Sequence, residues 1–260
     1  MLDKQTFTSV FDKNAQAYDK YRPKCPVHIL DRLRLVADLT SDSSILEIGC
    51  GTGQLTLDLA KWQHAIVAIE KGAQLAALAK VNARPYPRVQ VITADFEEWK
   101  DEDQKFDLVV ACQSFHWIEA ELGIQKVHSH LNPSGKFVLI WHLDTSQNTP
   151  FWQQTSPIYE SFFPRKSGHQ PLTSQADKFQ HLLSDSKLFG AVQRYEYPWE
   201  INYSKADYLG LLSTFSLQGS LPPLVKQEFF HQIGSLIEKS GGSVTRYQNS
   251  VMLVVEKAVT

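Results

Sequence analysis

Three glycines stand at alternating positions, Gly49, Gly51 and Gly53, directly behind the apolar residues Ile45, Leu46 and Ile48. Glycine loses the most conformational freedom on folding, so such a cluster marks backbone that must turn tightly or come close to another group. Placed before a helix, a loop of this kind presents backbone N–H groups to a ligand. Glu70 follows Gly49 by 21 residues, the interval at which a carboxylate accepts hydrogen bonds from the hydroxyls of a ribose. Asp95 ends the next apolar run and could accept from the exocyclic amine of an adenine, with Phe96 beside the base. These residue types ask for an adenine nucleoside.

Charge narrows the rest of the ligand. A dinucleotide-binding loop reads G-x-G-x-x-G, but the third position after Gly51 is Gln54. The loop offers no basic partner for a pyrophosphate, and Glu47 adds negative charge. Negative charge suits a cation. S-adenosylmethionine, which carries a sulfonium and an ammonium on an adenosine, meets all of these demands.

Ligands of open α/β sheets bind beyond the carboxyl ends of the strands, so the elements must deliver these residues there. Residues 44–49, 65–70, 88–95, 105–113 and 136–142 read as near-continuous apolar strands. Residues 53–62, 73–83 and 119–131 read as helices between them, the last stopped by Asn132, Pro133, Ser134 and Gly135. This alternation predicts a parallel sheet covered on both faces. Its strand ends carry the glycine loop, then Glu70 with Lys71, Asp95 with Phe96, the run from Gln113 to Trp117, and Trp141 with His142. Beyond that point the pattern changes. Residues 143–188 lack strand runs and are rich in aromatics, Trp152 and Tyr159 among them. Residues 191–201 and 250–258 read as strands, and 205–215 and 221–239 as helices. Phe11, Ala15, Tyr18 and Arg22 fall at helical spacing before Pro23 and Pro26 break the pattern.

Composition removes several classes of function. The chain has 260 residues, 43% of them hydrophobic, and a formal charge of −2, so it can bury a good core and lacks the basic footprint of a nucleic-acid binder. Three cysteines with no CxxC pairing argue against a disulfide framework and a cysteine-based metal site. His128 and His130 lie two apart on a helix and so on different faces, and no metal is expected. The charged N-terminus has no apolar signal core, and no run approaches 18 uncharged apolar residues, so a cytoplasmic protein without membrane contact is expected.

The motifs "ILEIGCGTGQLT", "IVAIEKG", "ITADFEEW", "FDLVVACQSFHWI" and "GKFVLI", in this order, resemble those of class I S-adenosylmethionine-dependent methyltransferases. The leader "FDKNAQAYDKYRP" and the segment "SLPPLVKQEFFHQI" are similar to the methyltransferase type 11 or trans-aconitate methyltransferase-like branch. The resemblance implies a Rossmann-like α/β fold: a seven-stranded mixed sheet with the last strand antiparallel, helices on both faces, and a helical lid. It implies one methyltransferase domain over 1–260, with a core of 36–142, 189–202 and 248–258 and a lid of 1–35, 143–188 and 203–247. It makes S-adenosyl-L-methionine the cofactor and a small molecule the methyl acceptor.

Carried over by the same resemblance, Gly49, Gly51 and Gly53, with Glu47, would line the methionine portion. Glu70 and Lys71 would lie at the ribose, Asp95 and Phe96 at the adenine, and Gln113 and Ser114 under the cofactor. Tyr21 and Arg22 would close over it, Arg22 on the methionine carboxylate. Tyr18, Trp117, Trp141 and Trp152 are candidates for the acceptor pocket. His116 is the candidate catalytic base for a hydroxyl, amine or carbon acid; a carboxylate acceptor would need none. Glu70 is followed by Lys71 and Gly72, where an Asp-x-Ser pattern is commoner. Plainer readings stand beside these: Glu47 could bind loop backbone and Asp95 could cap a helix. Rival functions are a cofactor-binding protein without catalysis and a nicotinamide-dependent oxidoreductase.

Overall fold

The computed structural model describes residues 12, 14–101, 103–163, 172–219 and 221–258. Phe11, expected to open the first helix, lies outside them. Two helices come first, α1 (Ala15–Tyr21) and α2 (Val27–Ala37). The alternating region follows: β1 (Ser44–Ile48), α3 (Gln54–Ala60), β2 (Ala65–Glu70), α4 (Ala73–Asn82), β3 (Val89–Thr93) and β4 (Phe106–Cys112). A 3-10 turn (Phe115–Trp117) leads to α5 (Ala120–His130) and β5 (Leu131–Asp144). Then come α6 (Pro150–Phe162), α7 (Leu172–Asp185), β6 (Gln193–Ser204), α8 (Lys205–Ser213), the short α9 (Ser216–Gly219), α10 (Pro223–Lys239) and β7 (Ser243–Glu256).

The seven strands form one sheet in the order β3-β2-β1-β4-β5-β7-β6. The pairs β1–β2, β1–β4, β2–β3 and β4–β5 are parallel. β7 is antiparallel to both neighbours. Thr145 N–H donates to Tyr247 C=O while Lys257 N–H donates to Gly135 C=O, so β5 and β7 run in opposite senses. Gly190 N–H on Glu256 C=O and Lys205 N–H on Gly242 C=O show the same for β6. The order reverses between β1 and β4, the crevice in which such sheets bind ligands.

The chain divides into two compact units. The first comprises Lys24–Trp141, Leu172–Tyr197 and Ser250–Thr260. Alternate side chains of its strands point to opposite faces. Ile45, Leu108, Val110, Val138 and Ile140 pack with Ile29 and Leu33 of α2 and with Leu55 and Leu59 of α3. From the other parity of β5, Phe137 meets Phe115 edge-on, and Trp141 stacks on Phe179 of α7 at 5.6 Å. The second unit comprises Met1–Pro23, His142–Pro171 and Pro198–Asn249. Its core gathers Tyr203, Tyr208, Leu211, Leu212, Phe229, Ile233 and Ile237, with Tyr21, Tyr159, Phe162 and Phe163 packed around them.

Three expectations are corrected. Residues 24–35 and 172–188, assigned to a lid, belong to the sheet unit, because Ile29 and Leu33 are fully buried in its core and Phe179 covers Trp141. The last strand starts at Ser243, seven residues before the expected 250, since the largely polar 243–249 still pairs, with Thr145 N–H donating to the Tyr247 carbonyl. β5 begins at Leu131 rather than 136, and the Asn132–Gly135 stretch is an irregularity within it. Phe106 pairs with Leu131 while Leu108 pairs with Lys136, and Ser134 has φ +60°.

Candidate cofactor site

The site grows from the loop between β1 and α3. Gly49, Gly51 and Gly53 have φ of +72°, +59° and +89°, in the left-handed region that side chains rarely adopt. At Gly49 the requirement is also steric: a Cβ would lie 2.4 Å from the Cβ of Ser114. The loop is tied to β2, with Gly49 and Cys50 N–H both donating to the Ile69 carbonyl at 2.8 and 3.1 Å.

Glu70 ends β2 and is 9% exposed. Its Oε2 accepts from Gly51 N–H at 2.8 Å and its Oε1 from Gly72 N–H at 2.7 Å. One carboxylate therefore shapes both the glycine loop and the turn after β2. Asp95 accepts from Lys71 Nζ at 2.6 Å on Oδ2 and from Glu97 N–H at 3.0 Å on Oδ1. Burial works against its charge, and the Lys71 ammonium with the Glu97 N–H outweighs it and holds the carboxyl below its ordinary value. No helix follows Asp95, so the expected helix cap is corrected: its carboxylate closes the turn at 96–98 instead. Phe96 is buried, its ring against Trp99 and under Lys126, which leaves its backbone rather than its ring for an adenine.

Glu47 takes a different place from the glycines. It is 2% exposed and accepts from the Thr56 hydroxyl at 2.6 Å, joining β1 to α3. Burial raises its carboxyl to about 7, so it is a weakly charged structural bond more than a fixed anion.

After β4, Gln113 has φ +58°, uncommon for a non-glycine residue and of the kind held at functional sites by surrounding structure. The Ser114 hydroxyl donates to the Ile48 carbonyl at 2.5 Å, closing the loop across β1. His116 follows on the 3-10 turn, with the Trp117 ring 4.9 Å away. Indole N–H only donates, so the contact of Trp141 Nε1 with His116 Nδ1 at 3.4 Å makes Nδ1 the acceptor and leaves the proton on Nε2. Burial lowers the His116 pKa to about 4. Trp141 itself is 1% exposed, buried against Phe179.

The remaining expected residues belong to the second unit. Arg22 donates from Nε to Thr214 Oγ1 at 2.8 Å and from Nη2 to Thr214 C=O at 3.0 Å, and lies over the Phe215 ring. Tyr18 lies under the same guanidinium, and Tyr21 packs against Gly210, where a Cβ would be 2.5 Å from its ring. Trp152 stacks on Tyr159. Four contributions escaped the sequence reading: the Thr56 hydroxyl, the Gly72 amide, the Trp141 N–H, and the half-buried Arg246–Asp144 ion pair of the second unit. The Lys71-Gly72 departure was the one available signal for the second.

The residues present fit S-adenosylmethionine. The loop is side-chain-free where a Cβ would clash, the donors and acids at the strand ends match an adenosine, and Thr52 carries a fully buried hydroxyl with no hydrogen-bond partner among the described residues. Among the described residues, the hydrogen bonds recorded for the loop involve backbone, carboxylate and amide groups. The fold is that of a class I Rossmann-like methyltransferase. Residues 45–135 match a family model described as a methyltransferase domain. An uncharacterised methyltransferase of Schizosaccharomyces pombe is 24% identical over 92% of this chain and 90% of its own. Malonyl-[acyl-carrier protein] O-methyltransferase of Priestia megaterium is 33% identical over 53% of this chain, and the match spans 52% of that enzyme. Phosphoethanolamine N-methyltransferase 2 of Haemonchus contortus, solved with S-adenosylhomocysteine, shares the fold at TM-score 0.58 and 13% identity, covering 95% of this chain and 58% of that one. The family model, the relatives and the shared fold together support a class I S-adenosylmethionine-dependent methyltransferase. The match reaches the class and does not single out the trans-aconitate branch.

Proposed function

We propose that this methyltransferase O-methylates the carboxylate of a small organic acid in the cytoplasm. The observation that carries this reading is the state of His116: neutral, with its pKa at about 4, and with Nδ1 engaged by Trp141. Such an imidazole offers Nε2–H as a donor and is a poor proton acceptor at neutral pH. A phenol, an ammonium or a carbon acid would have to lose a proton. A carboxylate arrives with its electron pair available and needs only alignment and exclusion of water. The Priestia megaterium relative, an O-methyltransferase acting on malonyl-acyl-carrier protein, supports oxygen as the methylated atom.

When bound, S-adenosylmethionine supplies a methyl group activated by its sulfonium. The residues of the chain hold and orient. Glu70 would take the ribose, Asp95 and the Phe96 backbone the adenine, and the glycine loop the methionine end. His116 Nε2–H would donate to the acceptor carboxylate, with Trp117 against its ring.

The test is transfer of labelled methyl from S-adenosylmethionine to a panel of small carboxylic acids, phenols and amines between pH 6 and 9. The expected product is a base-labile ester of an acid, formed at a rate flat with pH. His116→Asn, which keeps an N–H donor, should retain the rate within about tenfold, whereas loss of a general base costs about 10²–10⁴-fold. Label confined to phenols or amines, or a collapse in His116→Asn, overturns the proposal.

A further inference from the structure

Lys71 stands where the sequence departs from the family pattern, and the structure gives it a specific neighbour. Its ammonium lies 2.6 Å from Oδ2 of Asp95, the carboxylate read above as the adenine acceptor. The turn that carries Lys71 is held on both sides. Gly72 N–H donates to Glu70 Oε1 at 2.7 Å, and the Glu70 carbonyl accepts from Ala94 N–H at 3.0 Å. The end of β2 is thereby fastened to the end of β3. Asp95 is held at its other oxygen by Glu97 N–H at 3.0 Å, and its own carbonyl accepts from Trp99 N–H at 2.8 Å. Both oxygens of the carboxylate thus have a fixed donor, one of them supplied by Lys71.

Stability does not account for this pair. The Lys71 side chain is 54% exposed and that of Asp95 is 19% exposed, and exposed ion pairs contribute little to folding. What the pair does do is set the aim of one carboxylate, with the Lys71 ammonium and the Glu97 N–H holding it below its ordinary value. An ionised carboxylate accepts hydrogen bonds and donates none, which suits a ligand amine and not a ligand carbonyl or C–H edge.

We propose that Lys71 is a positioning residue that holds Asp95 as an oriented, ionised acceptor and so sets the selectivity of the cofactor site for a purine bearing a 6-amino group. This rests on the reading of Asp95 as the adenine acceptor. Binding without turnover tests it. Calorimetry compares S-adenosylhomocysteine with its analogue carrying hydrogen in place of the 6-amino group, in the wild type, Lys71→Met, Lys71→Arg and Asp95→Asn. The wild type should prefer the amino ligand by about tenfold, the value of one good hydrogen bond. Lys71→Met should cut that preference at least threefold by weakening the amino ligand alone, and Lys71→Arg should restore it. Equal weakening of both ligands, or an unchanged preference, overturns the role of Lys71. An absent wild-type preference, or one unaltered in Asp95→Asn, overturns the reading of Asp95 and the proposal with it.

Discussion

The glycine-loop site of the sheet unit and the aromatic core of the second unit solve the problem of order by different means. Around the loop, backbone N–H groups converge on a few acids: Gly51 and Gly72 on Glu70, Glu97 on Asp95. Side chains are absent where they would obstruct, as at Gly49. In the second unit, ring edges meet ring faces. Phe229 is fully buried among Tyr159, Phe162, Phe163 and Phe230 at centroid distances of 5.2, 5.4, 5.3 and 5.6 Å. Its polar content is concentrated in Arg246 with Asp144 and Arg22 with Thr214. The first arrangement is governed by where the chain can bend, and tolerates few residue types. The second is governed by volume and edge geometry, and many aromatic sequences could supply it.

The largest expected effect falls on the second arrangement. Phe229→Ala removes the ring at the centre of the cluster and should cost about 3–5 kcal/mol in denaturant unfolding; a cost below about 1 kcal/mol would mean the rings do not form a packed core. Next comes the loop. Gly49→Ala places a Cβ against Ser114 at a φ of +72°, so S-adenosylhomocysteine affinity should drop by about 100-fold, or about 2.7 kcal/mol, in calorimetry. Unchanged affinity would show that the loop does not contact the cofactor.

The smallest effect concerns Glu47. Its folded pKa of about 7 lies above its ordinary 4.5, so the folded state holds the proton more tightly. The stability this confers is complete below pH 4.5 and is lost as pH rises through 7. Glu47→Gln keeps the acceptor for Thr56 and cannot ionise. It should be more stable than the wild type at pH 8 by about 2 kcal/mol and nearly equal to it at pH 4.5, measured as thermal midpoints at both pH values. Equal midpoints at pH 8 would show that Glu47 is charged at little cost.

How far the sequence could be read follows the same division. The alternating strands and helices, the glycine loop, Glu70 and Asp95 were legible, because each depends on local periodicity, on φ, or on a fixed interval along the chain. The unit to which residues 24–35 and 172–188 belong was not. Ile29, Leu33 and Phe179 have the spacing of a buried helix face, and that spacing carries no address. The long β7 was half hidden, since Ser243–Asn249 read as polar chain after the Gly241-Gly242 turn.

The sequence by itself determined the class of fold and the cofactor, and it marked the strand ends as the candidate site. Those depend on short-range backbone constraints that any folded form of this chain must satisfy. Tertiary structure alone decided the state of the side chains. It buried Glu47 against Thr56, buried His116 so that its pKa falls while Nδ1 faces the N–H of Trp141, and set Lys71 on Asp95. Charge and tautomer depend on desolvation and on partners 9 to 25 residues away along the chain, and only the packed protein brings those together.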